Sequence, residues 1–207
     1  MFAVYLTHPQ VVIDPVVPVP DWELSPLGRA RAEAAARRPW IRRLARIISS
    51  EERKARETAA ILAGAAGLVP EVRLGFHEND RSATGFLPPP EFEATADAFF
   101  ANPDQSVRGW ETARAAQARI LRSVGEALDG HRPDRPVAFV GHGGVGTLLR
   151  LALEEAPIGR AGDQPSGGGG NLFVFTLPER RPLSGWVPME EWDGPEVAGL
   201  AERTGND

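Results

Sequence analysis

The sequence predicts an α/β fold: a three-layer α/β/α sandwich around a mostly parallel central sheet. Three observations lead there. Short apolar runs alternate along the chain with stretches whose apolar positions recur at helical spacing. Two of the runs end in a histidine, at what should be a strand's carboxyl tip, where open α/β sheets bind their ligands. The 207 residues, 42% hydrophobic and 25% charged, suit one domain with a full-sized core and show no internal repeat.

The elements follow in order. Residues 2–6 form an apolar run with β-favouring Val4 and Tyr5, stopped at Thr7-His8-Pro9 because proline has no N–H to donate. A proline-punctuated connection leads to Ser25-Pro26, a serine cap with proline in the first turn, which predicts a helix to about Arg38. A second strand is expected over 44–48. Ser49-Ser50-Glu51-Glu52 then has the spacing of a capping box. Ala55, Ala59, Leu62, Ala63 and Ala66 give the next helix its apolar stripe, ending near Gly67. A third strand is predicted over 69–74, then a polar loop over 76–90 containing His77-Glu78-Asn79-Asp80-Arg81. Helices are expected over 91–100 and 109–128, the latter with Trp110, Ile120, Leu121 and Val124 on one face. Val137 to Gly141 is the second histidine strand, followed by His142-Gly143-Gly144 and a helix over 145–154. A glycine-rich loop over 157–171 includes Gly167 to Gly170, a last strand is expected over 172–177, and the tail from Pro178 is proline-rich and polar.

Composition narrows the function classes. A net charge of −5 argues against a general grip on nucleic acid. The absence of cysteine excludes disulfides, zinc–thiolate sites and thiol catalysis. No apolar run approaches the ~20 residues that span a bilayer, and no secretion signal is visible, so a cytoplasmic chain without membrane contact is expected. The histidines lack the short spacings of zinc motifs, so no metal is expected, nor any other cofactor. Gly141-His142-Gly143-Gly144 looks like a nucleophile elbow, but Gly143 occupies the nucleophile's place and carries no side chain. Gly167 to Gly170 lacks the lysine and hydroxyl residue that end a nucleotide P-loop. Oligomeric state is open.

Five pieces together, Leu6-Thr7-His8-Pro9, Leu24-Ser25-Pro26-Leu27-Gly28, the run from Ser49 to Ala59, Glu78 in its loop, and Val140-Gly141-His142-Gly143-Gly144, resemble the histidine phosphatase superfamily, the phosphoglycerate mutase-like fold. The resemblance implies a phosphomonoesterase acting on a small phosphorylated metabolite. His8 would attack phosphorus, and His142, the Gly143 N–H and cationic neighbours would stabilise the phosphoryl oxygens. Glu78 would protonate the leaving alcohol, with Asp80 its competitor. The physical logic agrees: neutral imidazole is nucleophilic near pH 7, covalent catalysis splits a difficult displacement, and phosphoryl transfer depends on positioning and charge. His77 and His131 read as surface residues.

This chain departs from the family pattern at three places. Thr7 stands where an arginine usually precedes the first histidine, and Pro9 where a glycine usually follows it. Lys54, the only lysine among 23 basic residues, takes the arginine position of the helix after Ser49-Ser50. Thr7 and Lys54 are therefore expected to contact phosphate as a hydroxyl and a point charge, in place of two planar forks. Arg81 is the candidate to supply the missing guanidinium, whereas Arg53 and Arg56 should turn away on their helix. The alternative function is a weakened or inactive relative that binds a phosphorylated ligand or partner. A mutase, which needs a closed pocket to retain its intermediate, is less favoured. Substrate specificity is expected to lie in segments 76–100 and 157–171.

Overall fold

The computed structural model describes residues 1–165 and 168–195. Strands β1 (Phe2–Thr7), β2 (Arg46–Ser49), β3 (Glu71–Val72), β4 (Val137–Gly141), β5 (Asn171–Thr176) and β6 (Val187–Pro188) form one sheet. Their spatial order is β3-β2-β4-β1-β5-β6. The pairings β2–β3, β2–β4 and β1–β4 are parallel, while β5 joins β1 and β6 antiparallel, so a parallel centre carries an antiparallel margin. Helices are α1 (Pro26–Ala36), α2 (Arg53–Ala66), α3 (Pro89–Ala101), α4 (Ala113–Leu128) and α5 (Gly143–Leu153).

Both faces of the sheet are covered, which is why β1 is buried along its whole length. Side chains alternate across a strand. Phe2, Val4 and Leu6 therefore join Ala32, Ala35, Ala59 and Leu62 of α1 and α2 in one core. Ala3 and Tyr5 join Ile120, Val124, Val145 and Leu148 of α4 and α5 in the other. Burying each Leu or Phe of these layers contributes roughly 1.5–3 kcal/mol against the entropy of ordering the chain. The expected α/β/α sandwich is the observed one.

The central register positions the site. Thr7 lies opposite Gly141, so His8 and His142 are the next residues on two adjacent parallel strands. The His8 N–H donates to Gly141 O at 3.0 Å and extends that ladder by one rung. Ser25 caps α1 as expected, its Oγ accepting from the Gly28 N–H. Gly28 itself packs on the segment following His8: a Cβ there would lie 2.1 Å from Gln10 O.

Several local expectations need correction. The third strand is only Glu71–Val72, because Val69 and Leu74 find no layer to pack against and stay largely exposed. No capping box forms at Ser49-Ser50-Glu51-Glu52. The N-cap of α2 is Glu52, and the Ser50 hydroxyl turns toward His142 instead. Trp110 lies ahead of α4, whose cap is Thr112, because Gly109 and Arg108 hold positive φ and delay the helix. The tail is not wholly polar: β6 pairs with β5, and Trp186 and Trp192 each pack against a core. Gly167 and the tail beyond residue 195 lie outside the described residues. Among the described residues, no helix is long and apolar enough to cross a membrane.

Candidate active site

The two strand-tip histidines meet, their ring centroids 5.2 Å apart. His8 Nδ1 lies 2.8 Å from Pro9 O. A carbonyl oxygen only accepts, so Nδ1 carries the proton and Nε2 keeps a free lone pair. Burial, then the neighbouring charges of His142 and Lys54, lowers the His8 pKa to about 3. The ring is therefore neutral at physiological pH. It borders a cavity of about 560 Å³ whose walls include Glu78, Arg81, Trp110, Gly143 and Gln164.

His142 is sealed where His8 is partly exposed. Its backbone N–H donates to Tyr5 Oη at 3.0 Å, and that hydroxyl donates back to His142 O at 3.1 Å. Nε2 lies 2.8 Å from Ser50 Oγ and 3.4 Å from Glu52 Oε1. Ser50 Oγ accepts from the Glu52 N–H, and its hydroxyl can either donate to Nε2 or accept from it. Where the serine donates, the ring carries Nδ1–H, and Nδ1 is buried with no hydrogen-bond partner among the described residues. Burial lowers the His142 pKa, against the opposing pull of Glu52 and Glu78.

Glu78 crosses the mouth of α5. Its carboxylate accepts from the N–H groups of Gly144 and Val145, each at 3.0 Å, and of Asn79 at 3.0 Å. A helix N-terminus welcomes such an anion. Gly144 has to be glycine for this approach, since a Cβ would lie 2.7 Å from Glu78 Oε1. Burial favours the protonated carboxyl, but the His142 ring, the Arg81 guanidinium and the amides of Gly144 and Asn79 hold it below the usual carboxylate range. Asp80 is exposed, accepts from its own turn at Ser82 N (2.8 Å), and faces a second cavity that His8 does not border.

The cations differ sharply in freedom. Lys54 is buried, and its Nζ donates to Val19 O at 2.8 Å and to the Glu52 carboxylate, spending two of three N–H groups. The same carboxylate accepts from the Glu78 N–H at 2.9 Å. Burial pushes the Glu52 pKa up, but His142, Lys54 and these hydrogen bonds together hold it low. Arg81 stacks on Phe92 and Trp110, 5.0 and 5.7 Å from their ring centroids. Its guanidinium has no acceptor among the described residues and borders the cavity. Gly143 borders it too, and its N–H has no acceptor among the described residues. Thr7 stands apart: its Oγ1 donates to Gln164 Oε1 at 2.9 Å and accepts from Asn171 N–H at 3.1 Å. His77 is bound to its own loop at Glu78 O, and His131 sits beside Arg46.

Sequence reasoning passes over Tyr5, Ser50, Glu52, Arg119 and Gln164. Arg119, on α4, directs all five N–H groups inward. It donates to the carbonyls of Gly75, His77 and Glu78 and to both oxygens of Glu111, and so fixes the loop carrying Glu78. Only the serine beside the expected helix start offered a signal. An arginine on an amphipathic helix and a glutamine in a loop offer none.

A sequence profile of the Histidine phosphatase superfamily (branch 1) matches residues 15–172, a span that holds His142, Lys54 and Glu78 and begins after His8. The chain is 34% identical over 185 residues to glucosyl-3-phosphoglycerate phosphatase of Mycobacterium tuberculosis (strain CDC 1551 / Oshkosh), covering 84% of this chain and 79% of that one. Mycobacterial glucosyl-3-phosphoglycerate phosphatase in complex with inorganic phosphate superposes with a TM-score of 0.75 at 28% identity, over 91% and 98% of the two chains. Phosphoserine phosphatase of Entamoeba histolytica in complex with 3-phosphoglyceric acid, 16% identical, shares the fold with a TM-score of 0.72 over 91% and 98%.

Proposed function

We propose a phosphohistidine route for this chain, which belongs to the histidine phosphatase superfamily and is a phosphomonoester hydrolase for a small phosphorylated metabolite. His8 Nε2 attacks phosphorus, and the bond from phosphorus to the leaving oxygen breaks as that oxygen takes a proton from Glu78. Water then attacks the phosphohistidine and returns a proton to Glu78. The P–N bond breaks, releasing inorganic phosphate and a neutral His8. His142 Nδ1–H, the Gly143 N–H and the Arg81 guanidinium meet the nonbridging oxygens, and Lys54 adds its charge from behind Glu52.

One observation carries the reading: two neutral imidazoles 5.2 Å apart, with the Nε2 of the more accessible ring left bare by Pro9. The proton for the leaving group needs a source, because Glu78 is ionised in the free enzyme. A phosphomonoester loses its second proton near pH ~6, so its monoanion can deliver that proton to Glu78 as its charge arrives. Activity as kcat/KM should accordingly decline above about pH 6. The relatives' names suggest glucosyl-3-phosphoglycerate as the first substrate to try, and a 560 Å³ cavity is of metabolite size.

The test is to mix enzyme with p-nitrophenyl phosphate, quench, and assay for acid-labile phosphohistidine. Hydrolysis of glucosyl-3-phosphoglycerate, 3-phosphoglycerate and phosphoserine is then compared. Label on the native chain and none on His8→Ala is expected. Turnover that persists in His8→Ala would sink the route.

A further inference from the structure

Gln164 is held in a way its loop position does not require. Its Oε1 accepts two hydrogen bonds, from Thr7 Oγ1 at 2.9 Å and from Asn171 Nδ2 at 3.0 Å. Both lone pairs of that oxygen are thereby used, and a flipped amide would set its NH2 against two donors. Thr7 has one proton to give, and Gln164 Oε1 at 2.9 Å lies closer to its oxygen than the competing Asn171 O at 3.3 Å, while that oxygen accepts from the Asn171 N–H. The backbone is fixed as well: the Gln164 N–H donates to Asp163 Oδ1 at 2.8 Å, and that oxygen also accepts from Thr147 Oγ1 on α5 at 3.0 Å.

With Oε1 pinned, Nε2 must face the other way, toward the start of α5. A Cβ built on Gly143 would lie 2.4 Å from Gln164 Nε2, so a larger residue there would have to displace that amide. Gln164, Gly143 and His8 border the same cavity. The Gln164 Nε2 has no acceptor among the described residues, nor has the Gly143 N–H beside it. His142 Nδ1, buried at the same strand tip, is unpartnered too. Donors without acceptors are costly unless a ligand completes them, and Gln164 and Gly143 line the cavity that His8 borders, with the His142 ring 5.2 Å from that of His8.

We propose that Gln164 is a phosphoryl-binding residue, its Nε2 donating to a nonbridging oxygen of the group on His8, with Thr7 and Asn171 as the positioning residues that aim it. The proposal rests on the phosphohistidine route above. It assigns Thr7 an indirect part: the threonine does not touch phosphate but orients a neutral donor. A neutral amide adds directed hydrogen bonds without charge, so binding of inorganic phosphate depends on its orientation.

The probes are inorganic phosphate as a competitive inhibitor and p-nitrophenyl phosphate as substrate. Gln164→Met keeps the length and removes the donor. It should raise the inhibition constant for phosphate about tenfold and lower kcat/KM at least as much. Thr7→Val should act in the same direction, Thr7→Ser should stay near wild type, and the double variant Gln164→Met/Thr7→Val should be no worse than Gln164→Met alone. If Gln164→Met melts early, Gln164→Glu carries the test. It keeps the size and the acceptor, so relative to the native chain at the same pH phosphate inhibition should weaken more than about tenfold at pH 8 and recover toward pH 5 as the new carboxyl protonates. The proposal is overturned by a phosphate inhibition constant unchanged in Gln164→Met, by a ratio of the Gln164→Glu to the native constant that is independent of pH, or by full additivity of the Thr7 and Gln164 changes. The underlying route fails separately, through phosphoenzyme that persists in His8→Ala.

Discussion

The tips of β1 and β4 are the same construction used for two purposes. Each is a buried apolar strand ending in a histidine, and the parallel register sets the two residues side by side. His8 is fixed by one ring hydrogen bond to Pro9 and retains a bare Nε2 at the cavity wall. His142 is fixed at backbone and ring by Tyr5 and Ser50, with Glu52 adjacent, and is wholly buried. A group that forms and breaks a bond to phosphorus needs a free lone pair and some exposure. A group that stabilises charge needs to be already oriented, because reorganisation at the moment of reaction would cost what the interaction gains. On the proposed phosphohistidine route, the difference between the tips is a difference between reactant and scaffold.

The sharpest way to break the comparison is to remove each ring. His8→Ala should abolish the phosphoenzyme and lower kcat by about a thousandfold or more, since the covalent path is lost outright. His142→Gln should still form phosphoenzyme, at a rate lower by roughly 10²–10³, the usual cost of one donor to a developing anion. Single-turnover quench-flow measures both. Equal loss of label in the two variants would mean the tips do not divide the work as their geometry suggests.

A smaller effect tests the scaffold beneath His142. The Tyr5 hydroxyl bonds both the N–H and the C=O of that residue. Its ring stacks on Phe173, 5.4 Å between centroids, and burial raises its pKa far above the ordinary phenol value. Tyr5→Phe keeps the packing and strands a buried N–H, at about 1–3 kcal/mol. For a chain of this size that is roughly 2–12 °C in melting temperature. Phosphoenzyme should still form. A melting point unchanged within a degree would show that water replaces the hydroxyl.

These contrasts also explain what was legible beforehand. Strand ends and both histidines stand out because the apolar runs are short, and Pro9 and the glycines after His142 interrupt them abruptly. Helix α2 was readable from its alanine stripe and its stop at Gly67, which takes φ 68°. The supporting set was not. Ser50 and Glu52 imitate a capping box, because a serine and acidic residues before a helix suit a local cap as well as a distant imidazole. Arg119 is one arginine among many. Gln164 acquires its orientation only from β1 and β5, at sequence separations of 157 and 7 residues. Such residues are defined by the tertiary arrangement, and no local pattern carries them.

The mildest contrast between the tips appears in acid. An unfolded histidine titrates near 6.5, whereas His8 in the folded chain titrates at about 3. Between those values the unfolded chain binds a proton that the native chain refuses, so native stability falls as pH drops from about 6.5 toward 3. His142, also lowered, adds a contribution of the same sign. The lowered carboxyls of Glu52 and Glu78 contribute in the same sense once the unfolded carboxyls begin to protonate, below about pH 5, and so leave the interval between pH 7 and pH 5 to the histidines. Because the His8 ring reaches solvent, its share between pH 7 and pH 5 is about 1 kcal/mol, or roughly 2–4 °C. His8→Asn, which cannot titrate, should flatten the fall of melting temperature over that interval by this amount and leave the rest of the slope to His142. Calorimetry at pH 7, 6 and 5 on the two chains decides it. Parallel curves would mean that the His8 ring takes up its proton in the folded state as readily as in water, and that its neighbours do not protect it as a nucleophile.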